Sequence, residues 1–404
     1  VLFLIFIPGI IDYSYKIVEL TKVGKKPEQK YIIDEPIVKA QNPARIMIFA
    51  EHATFTTSMI HRILLIAFGI LGIQLMAQCQ GDPKYRVACI GFYNVENLFD
   101  TIDQPEVNDV EFTPTGSNAW GNERYQEKLQ NLSEVISKIG TDISPDGVAV
   151  LGLSEIENRS VIEDLISMPL LRSREYAIVH YDSPDRRGVD VGLIYQPKYF
   201  RVTNSRSYRL VVEGEPNFLS RDQLLVSGYL DGEPLHIIVN HWPSRRGGEQ
   251  SSRHLRNAAA DLSRRIVDSL QQLDPQAKVM VMGDLNDDPV NMSVRHHLRA
   301  VGKTKNLDPS RMYNPMEDLF QKGIGSLAYR DSWNLFDQII VTPPLAYREQ
   351  KGWFLYGTRV FNKEFLKQKT GSFKGYPFRS FAGGSYLGGY SDHFPVYVIL
   401  AKPE

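Results

Sequence analysis

Polar side chains of the kind that do acid–base and metal chemistry stand repeatedly where apolar runs of this chain stop. Glu155 follows the run 148–153, Asn240-His241 follow 235–239, and Asp284 with Asn286 follow 279–282. Asn94 closes the run 87–92, Asp337 lies in 335–341, and Asp392-His393 precede 396–400. Carboxylate and carboxamide oxygens suit a hard divalent cation such as Mg²⁺ or Mn²⁺. His241 and His393 can serve near neutral pH as acid, base or phosphate donor. Neither cysteine has metal-ligand spacing and the histidines are not clustered, so a zinc-type ligand set is not indicated. Hydrolysis of a phosphodiester needs charge neutralised on phosphorus, a nucleophile made from water and a stabilised leaving alkoxide, which is what such groups supply.

These groups need elements to aim them. The continuous apolar runs read as strands buried on both faces. Tyr125, Leu129, Leu132, Ile136 and Ile139 recur at helical spacing within 122–139, and Leu255, Ala259, Leu262 and Ile266 mark a second helix. Strands at 87–92, 148–153, 189–195, 224–229, 235–239, 279–282, 335–341 and 396–400 alternate with these helices. Residues 383–389 are a Gly-rich loop leading into Ser391-Asp392-His393.

Seven segments carry a specific resemblance in order. They are Phe92-Tyr93-Asn94-Val95-Glu96-Asn97, Leu153-Ser154-Glu155-Ile156-Glu157-Asn158 and Arg187-Gly188-Val189-Asp190-Val191-Gly192, then Asn240-His241-Trp242-Pro243-Ser244-Arg245 and Gly283-Asp284-Leu285-Asn286-Asp287. Phe336-Asp337-Gln338-Ile339 and Ser391-Asp392-His393-Phe394-Pro395-Val396 complete the set. Together the chain resembles the endonuclease/exonuclease/phosphatase superfamily, which includes pancreatic-type DNase, abasic-site endonucleases, sphingomyelinases and inositol polyphosphate phosphatases. The resemblance implies an α/β fold, a four-layer sandwich of two mixed β-sheets flanked by helices, as one domain over 84–404. It implies that Glu155 is the main metal ligand, assisted by Asn94 and Asp392. Asp284 and His393 would share the general-base role, with His393 held by Asp337. Asn286 would contact the phosphate, and His241 the phosphate or leaving group.

Arg245, Arg246, Arg253 and Arg256 flank Asn240-His241. Guanidinium forks pair bidentately with phosphate, so Arg245 and Arg246, together with Asn240, are expected at the substrate. Asp190, inside an apolar run, needs a partner if buried, and Arg187 is a candidate. Trp120, Trp242 and Trp353 are candidates for stacking on bases, the alternative being packing. His180, His236, His254, His296 and His297 fall in no matching segment.

With net charge −1 the whole surface does not attract a polyanion, so attraction must be local. Residues 59–81 read MIHRILLIAFGILGIQLMAQCQG, the basic, apolar and small-polar order of a signal peptide over 59–78. Export to a periplasmic or extracellular space is expected, with lipid anchoring through Cys79 as the alternative. Residues 1–58 read as a mis-called translation start, or else as an extension with a membrane-directed run at 1–11. Cys79 and Cys89 are expected as a possible bridge or as two separate thiols. The leading functional reading is an exported nuclease acting on DNA or RNA, because the segments 187–192 and 240–245 resemble exported bacterial nucleases. A lipid or inositol phosphoesterase is the second reading and calls for an exposed aromatic patch, with 354–356 and 373–378 as candidates. A catalytically silent binding protein is the third. No protein partner is implied and a monomer is expected.

Overall fold

A computed structural model describes residues 84–348 and 352–404. The signal-peptide, upstream-segment and Cys79 readings lie outside the described residues. Within them the strands in chain order are β1 (Tyr85–Leu98), β2 (Val148–Ile156), β3 (Ala177–His180), β4 (Asp190–Tyr195), β5 (Phe200–Tyr208), β6 (Gln223–Leu230), β7 (Glu233–His241), β8 (Val279–Asp284), β9 (Ala300–Val301), β10 (Met312–Tyr313), β11 (Leu327–Tyr329), β12 (Ser332–Asn334), β13 (Asp337–Val341), β14 (Phe354–Val360), β15 (Phe381–Ala382), β16 (Ser385–Tyr386) and β17 (Val396–Pro403). Three longer helices are α1 (Asn122–Lys138), α2 (Arg159–Ser167) and α3 (Arg253–Leu273).

Two mixed sheets form the frame. One runs β14-β17-β1-β2-β4-β3 and the other β5-β6-β7-β8-β13-β10-β9, with β11-β12 and β15-β16 as small hairpins. Alternate residues of each strand divide between two faces, and both faces are apolar. Ile90, Phe92, Val150, Leu193, Val239, Met280, Met282, Ile339 and Val398 meet between the sheets. Cys89, Tyr93, Leu151, Leu153 and Ile194 turn outward against Leu129, Leu132 and Ile136 of α1 and Val161, Ile162 and Leu165 of α2. On the far side Ile238, Val279, Val281 and Ile340 pack under Ala259, Ile266 and Val267 of α3. The result is a helix–sheet–sheet–helix sandwich. The core strands lie where their apolar runs predict them, most of them extended by a few residues, while β4 and β13 begin one and two residues later than expected.

Three strands without a strong sequence signal, β3, β5 and β14, all sit at sheet edges. An edge strand faces water on one side, so its apolar pattern is diluted; the nine residues of β5 include Arg201, Thr203, Asn204 and Arg206. Trp120, Trp242 and Trp353 are 1%, 1% and 4% exposed, which makes all three core side chains and removes them as stacking platforms. Cys89 is a free, buried thiol. Among the described residues no helix is long and apolar enough to cross a membrane.

Candidate active site

Strand register decides which groups meet. In the second sheet β7 and β8 are parallel, placing His241 opposite Asp284. The antiparallel β13 then places its first residue, Asp337, opposite Asp284 on the other side. His241, Asp284 and Asp337 thus form one row across three strands. In the first sheet β1 and β2 are parallel, with Asn94 opposite Ser154. The loop before β17 brings Asp392-His393 to the same end.

Backbone irregularities finish the aiming. Leu153 and Ile156 both face the outer cluster although three residues apart, so one residue is absorbed at the β2 bulge. That residue is Glu155, at φ 61°. Glu96 and Asn97, at φ 53°, form the matching irregularity in β1, and Asn286 follows Asp284 at φ 50°. Non-glycine residues in this region cost of order 1–3 kcal/mol each and persist where surrounding contacts enforce them. Here the contacts are explicit: Asn97 N donates to Glu155 Oε2 at 3.1 Å, and Asn286 N donates to Asp284 Oδ1 at 2.9 Å.

The side chains converge closely. Asn94 Nδ2 donates to Asp284 Oδ2 at 3.1 Å. His241 Nε2 lies 3.6 Å from Asp284 Oδ2 and 3.8 Å from Glu155 Oε1. His393 Nδ1 pairs with Asp337 Oδ2 at 2.6 Å, which turns Nε2 toward Asp284 Oδ2 and Asp392 Oδ1, each at 3.9 Å. Asn286 Nδ2 donates to the Trp242 carbonyl at 3.0 Å, keeping its second N–H for another acceptor. Every residue expected in the catalytic or metal role reaches this cluster.

Charges in the cluster are strongly coupled. Burial alone would push His393 down, but Asp337, Asp392 and Asp284 hold it well above its ordinary value. Burial raises the Asp284 carboxyl while His393 pulls the other way. His241 is driven well below its ordinary value by burial and by Arg221, Arg187 and His393, which disfavours its charged form. Protons in such a group belong to the set rather than to one residue.

The donor set fits a hard cation. Asp284, Asp337 and His393 each offer a ligand atom within 4.8 Å of the others. Asp337 Oδ1 is buried and has no hydrogen-bond partner among the described residues. Glu155 Oε1 accepts no hydrogen bond there either, while Asn94 Oδ1 receives one N–H, from Glu96 at 3.0 Å, leaving it a lone pair.

Two expected substrate contacts are corrected. Asn240 is 0% exposed, with its amide donating to the Ile238 and Met282 carbonyls and accepting from Trp242 Nε1. It fastens β7 to β8 from inside the sheet. Arg245 donates to the Asn286 carbonyl at 2.9 Å and to Asp287 at 3.0 Å, and lies over the Phe336 ring. Its fork braces the Asp284–Asn286 turn and is not open to a phosphate. Arg246, by contrast, is exposed. Asp190 is partnered by His180 at 2.9 Å and by Ser183, while Arg187 turns to Asp185.

Other residues escaped the sequence reading. Lys128 is 1% exposed and bonds Ser380 Oγ at 2.7 Å and the Tyr390 carbonyl at 2.9 Å, with Glu96 3.9 Å away. Its position beside Tyr125, Leu129 and Leu132 on the apolar stripe is the signal that marks it as buried. Arg379 pairs with Asp392 and approaches Glu96 at 3.8 Å, which no local pattern announces. Arg221 donates to the His241 and Trp242 carbonyls at 3.1 and 2.6 Å.

Residues 89–402 match the model of the Endonuclease/Exonuclease/phosphatase family. The chain belongs to this family. Family members are phosphoesterases, and this chain shares both their frame and a buried Asp/His cluster at its edge. Similar solved structures include TDP2 of D. rerio complexed with a single-strand DNA product, at 14% identity over 78% of this chain and 98% of that one, with a TM-score of 0.46. A family protein of Bacteroides thetaiotaomicron is similar at 15% identity over 80% and 100%, with a TM-score of 0.47. A mannosyl-6-phosphatase of the same organism is similar at 14% identity over 78% and 99%, also with a TM-score of 0.47. No curated protein matches the chain.

Proposed function

We propose that this phosphoesterase is an exported, divalent-metal-dependent phosphodiesterase that hydrolyses DNA or RNA. The observation that carries the reading is the in-register row His241–Asp284–Asp337, met from the first sheet by Glu155 and completed by His393. Glu155, assisted by Asn94 and Asp392, would hold Mg²⁺ or Mn²⁺, whose chemistry is to offset charge on the phosphoryl and leaving oxygens.

The chain's own groups account for the proton movements. Asp284 Oδ2, facing two imidazoles, orients a water and takes its proton, while His393, whose charged form the surrounding carboxylates favour, donates from Nε2–H to a phosphate oxygen. Asp337 fixes the His393 ring by accepting from Nδ1, so Nε2 is the atom that works. His241, whose charged form burial disfavours, faces the phosphate or the departing oxygen through Nε2. The free N–H of Asn286 donates to a phosphate oxygen without adding charge. Export is supported by the signal-peptide order of 59–78.

The test offers plasmid DNA, RNA, sphingomyelin and bis-p-nitrophenyl phosphate to the protein from residue 79 onward, with Mg²⁺ or Mn²⁺. An Asp284→Ala/His393→Ala variant is the control. Cleavage of DNA or RNA by the parent alone is expected. Turnover of lipid only would replace the nuclease reading, and no turnover of anything would remove the enzyme reading. Export is tested by Leu64→Arg/Leu65→Arg, which should retain the chain in the cytosol; unchanged secretion would refute the signal peptide.

A further inference from the structure

Beside the catalytic centre lies a cavity of about 390 Å³ whose wall includes Arg186, Arg187, Ser220, Arg221 and Arg246. Its one carboxylate, Asp185, is already engaged by Arg221 at 2.9 Å and Arg187 at 3.5 Å. Four guanidinium groups against one carboxylate leave an excess of positive charge in a chain whose net charge is −1. Arg246 makes no hydrogen bond or ion pair among the described residues, and Arg186 makes only a 3.4 Å contact to the Asn217 carbonyl. A second, independent sign points to a ligand. Ser220, one of the residues lining the cavity, is 2% exposed, and its buried hydroxyl has no hydrogen-bond partner among the described residues. A buried orphan hydroxyl costs about 1–3 kcal/mol unless something fills its place.

The cavity is wired to the reacting centre. Pro243, Ser244 and Arg246 on its wall follow His241 directly in the chain, and Arg221 ties the wall to the His241 and Trp242 carbonyls. A cavity of about 510 Å³ reaching Asp392 differs in kind. Tyr329, Phe373 and Tyr376 line it, and its charges, Arg330 and Arg379 against Asp331 and Asp392, balance. The two cavities therefore ask for different parts of one substrate, anionic on the His241 side and planar or apolar on the Asp392 side. A lone phosphodiester carries one charge, and the catalytic centre already receives it.

Resting on the phosphodiesterase reading, we infer that the Arg186–Arg187–Ser220–Arg246 cavity is a second anion subsite holding a neighbouring phosphate of the same nucleic-acid strand. Arg246 and Arg186 supply the exposed forks, and Arg221, tied to Asp185 and to the His241 and Trp242 carbonyls, the back wall.

Two measurements test it on the whole protein. Arginine modification by phenylglyoxal, mapped by mass spectrometry, should be blocked at Arg186, Arg187 and Arg246 by inorganic phosphate and by a single-stranded octanucleotide in EDTA. The Arg186→Gln/Arg246→Gln variant, altered only at exposed side chains, is then compared with the parent. Its octanucleotide affinity should fall about tenfold or more, and its salt slope by about 0.7 per arginine. Its KM should rise far more for the octanucleotide than for singly charged bis-p-nitrophenyl phosphate. Absent protection, or unchanged affinity, slope and KM, overturns the subsite while leaving nuclease activity intact. Protection and weakened binding in a protein that cleaves no nucleic acid support the subsite and sink the nuclease reading instead.

Discussion

Replacing Asp337 with asparagine isolates the pair on which the proton chemistry rests. Asp337 is 0% exposed and accepts from His393 Nδ1 at 2.6 Å. At an effective dielectric near 20, unit charges 2.6 Å apart attract by about 6 kcal/mol, against about 4 kcal/mol at the 3.9 Å separating His393 from Asp284 or Asp392. Asp337 is therefore the largest single support of the imidazolium. Asparagine keeps the volume and can still accept from Nδ1 but carries no charge. Disrupting one partner of a buried pair costs about 3–5 kcal/mol, and the retained hydrogen bond places Asp337→Asn at the lower end. Expressed in the transition state, that is a loss of about 100- to 500-fold in kcat. The assay is steady-state hydrolysis of bis-p-nitrophenyl phosphate with Mg²⁺, alongside thermal melting. The expected result is a large fall in kcat with KM changed by about twofold or less, in a folded protein. A kcat within about threefold of the parent would refute the assignment. A rate loss that merely follows unfolding would make Asp337 a structural residue.

Three further outcomes follow from other parts of the molecule. Glu155→Gln keeps the Asn97 N–H contact but removes the charge; Mn²⁺ affinity measured by calorimetry should fall at least about tenfold, and EDTA should abolish parent activity, whereas full activity in chelator contradicts the metal role. Gly283→Ala should destabilise the fold by about 1–3 kcal/mol in urea titration, because its Cβ would lie 2.2 Å from the Asn240 carbonyl oxygen; a neutral effect would show that β7 and β8 can separate locally. Burial, with Asp142 nearby, pushes the Cys89 thiol up to about 12, so iodoacetamide at pH 8 should leave it unmodified until the chain is unfolded. Because the folded state holds that proton more tightly, the associated stability is complete below the unfolded value of about 8.5 and is lost as pH rises toward about 12. Rapid native labelling of the Cys89 peptide would contradict its burial.

Much of the fold was legible because the central strands are buried on both faces. Runs such as 148–153 and 279–282 leave little alternative to an interior strand, and the 125–129–132–136 spacing little alternative to α1. The edge strands β3, β5 and β14 were silent for the opposite reason, since water on one side permits polar residues. Residue type pointed to the groups that the structure brings together, because Glu155, Asp284 and Asp392-His393 sit at strand ends. Residue type misled at Arg245 and Asn240. An arginine near a catalytic turn can grip substrate or brace the turn, and only the position of Asp287 and the Asn286 carbonyl decides between them.

What the amino-acid order determined by itself was chemistry and chain path: hard oxygen donors and two histidines, each tied to the end of an apolar run. Tertiary structure decided which of them touch. Parallel pairing of β7 with β8 and antiparallel pairing of β8 with β13 put His241, Asp284 and Asp337 in one row, a consequence of register. A single extra residue in β2 turned Glu155 toward that row, where strict alternation would have sent it to the helix layer. The same dependence on long-range packing gave Asp190 to His180, fixed Asp392 with Arg379, and gathered Arg186, Arg187, Arg221 and Arg246 around one cavity. Contacts between residues 36 to 190 positions apart, as in Arg221–Asp185 and Asn94–Asp284, are set by how whole sheets stack and leave no trace in local pattern.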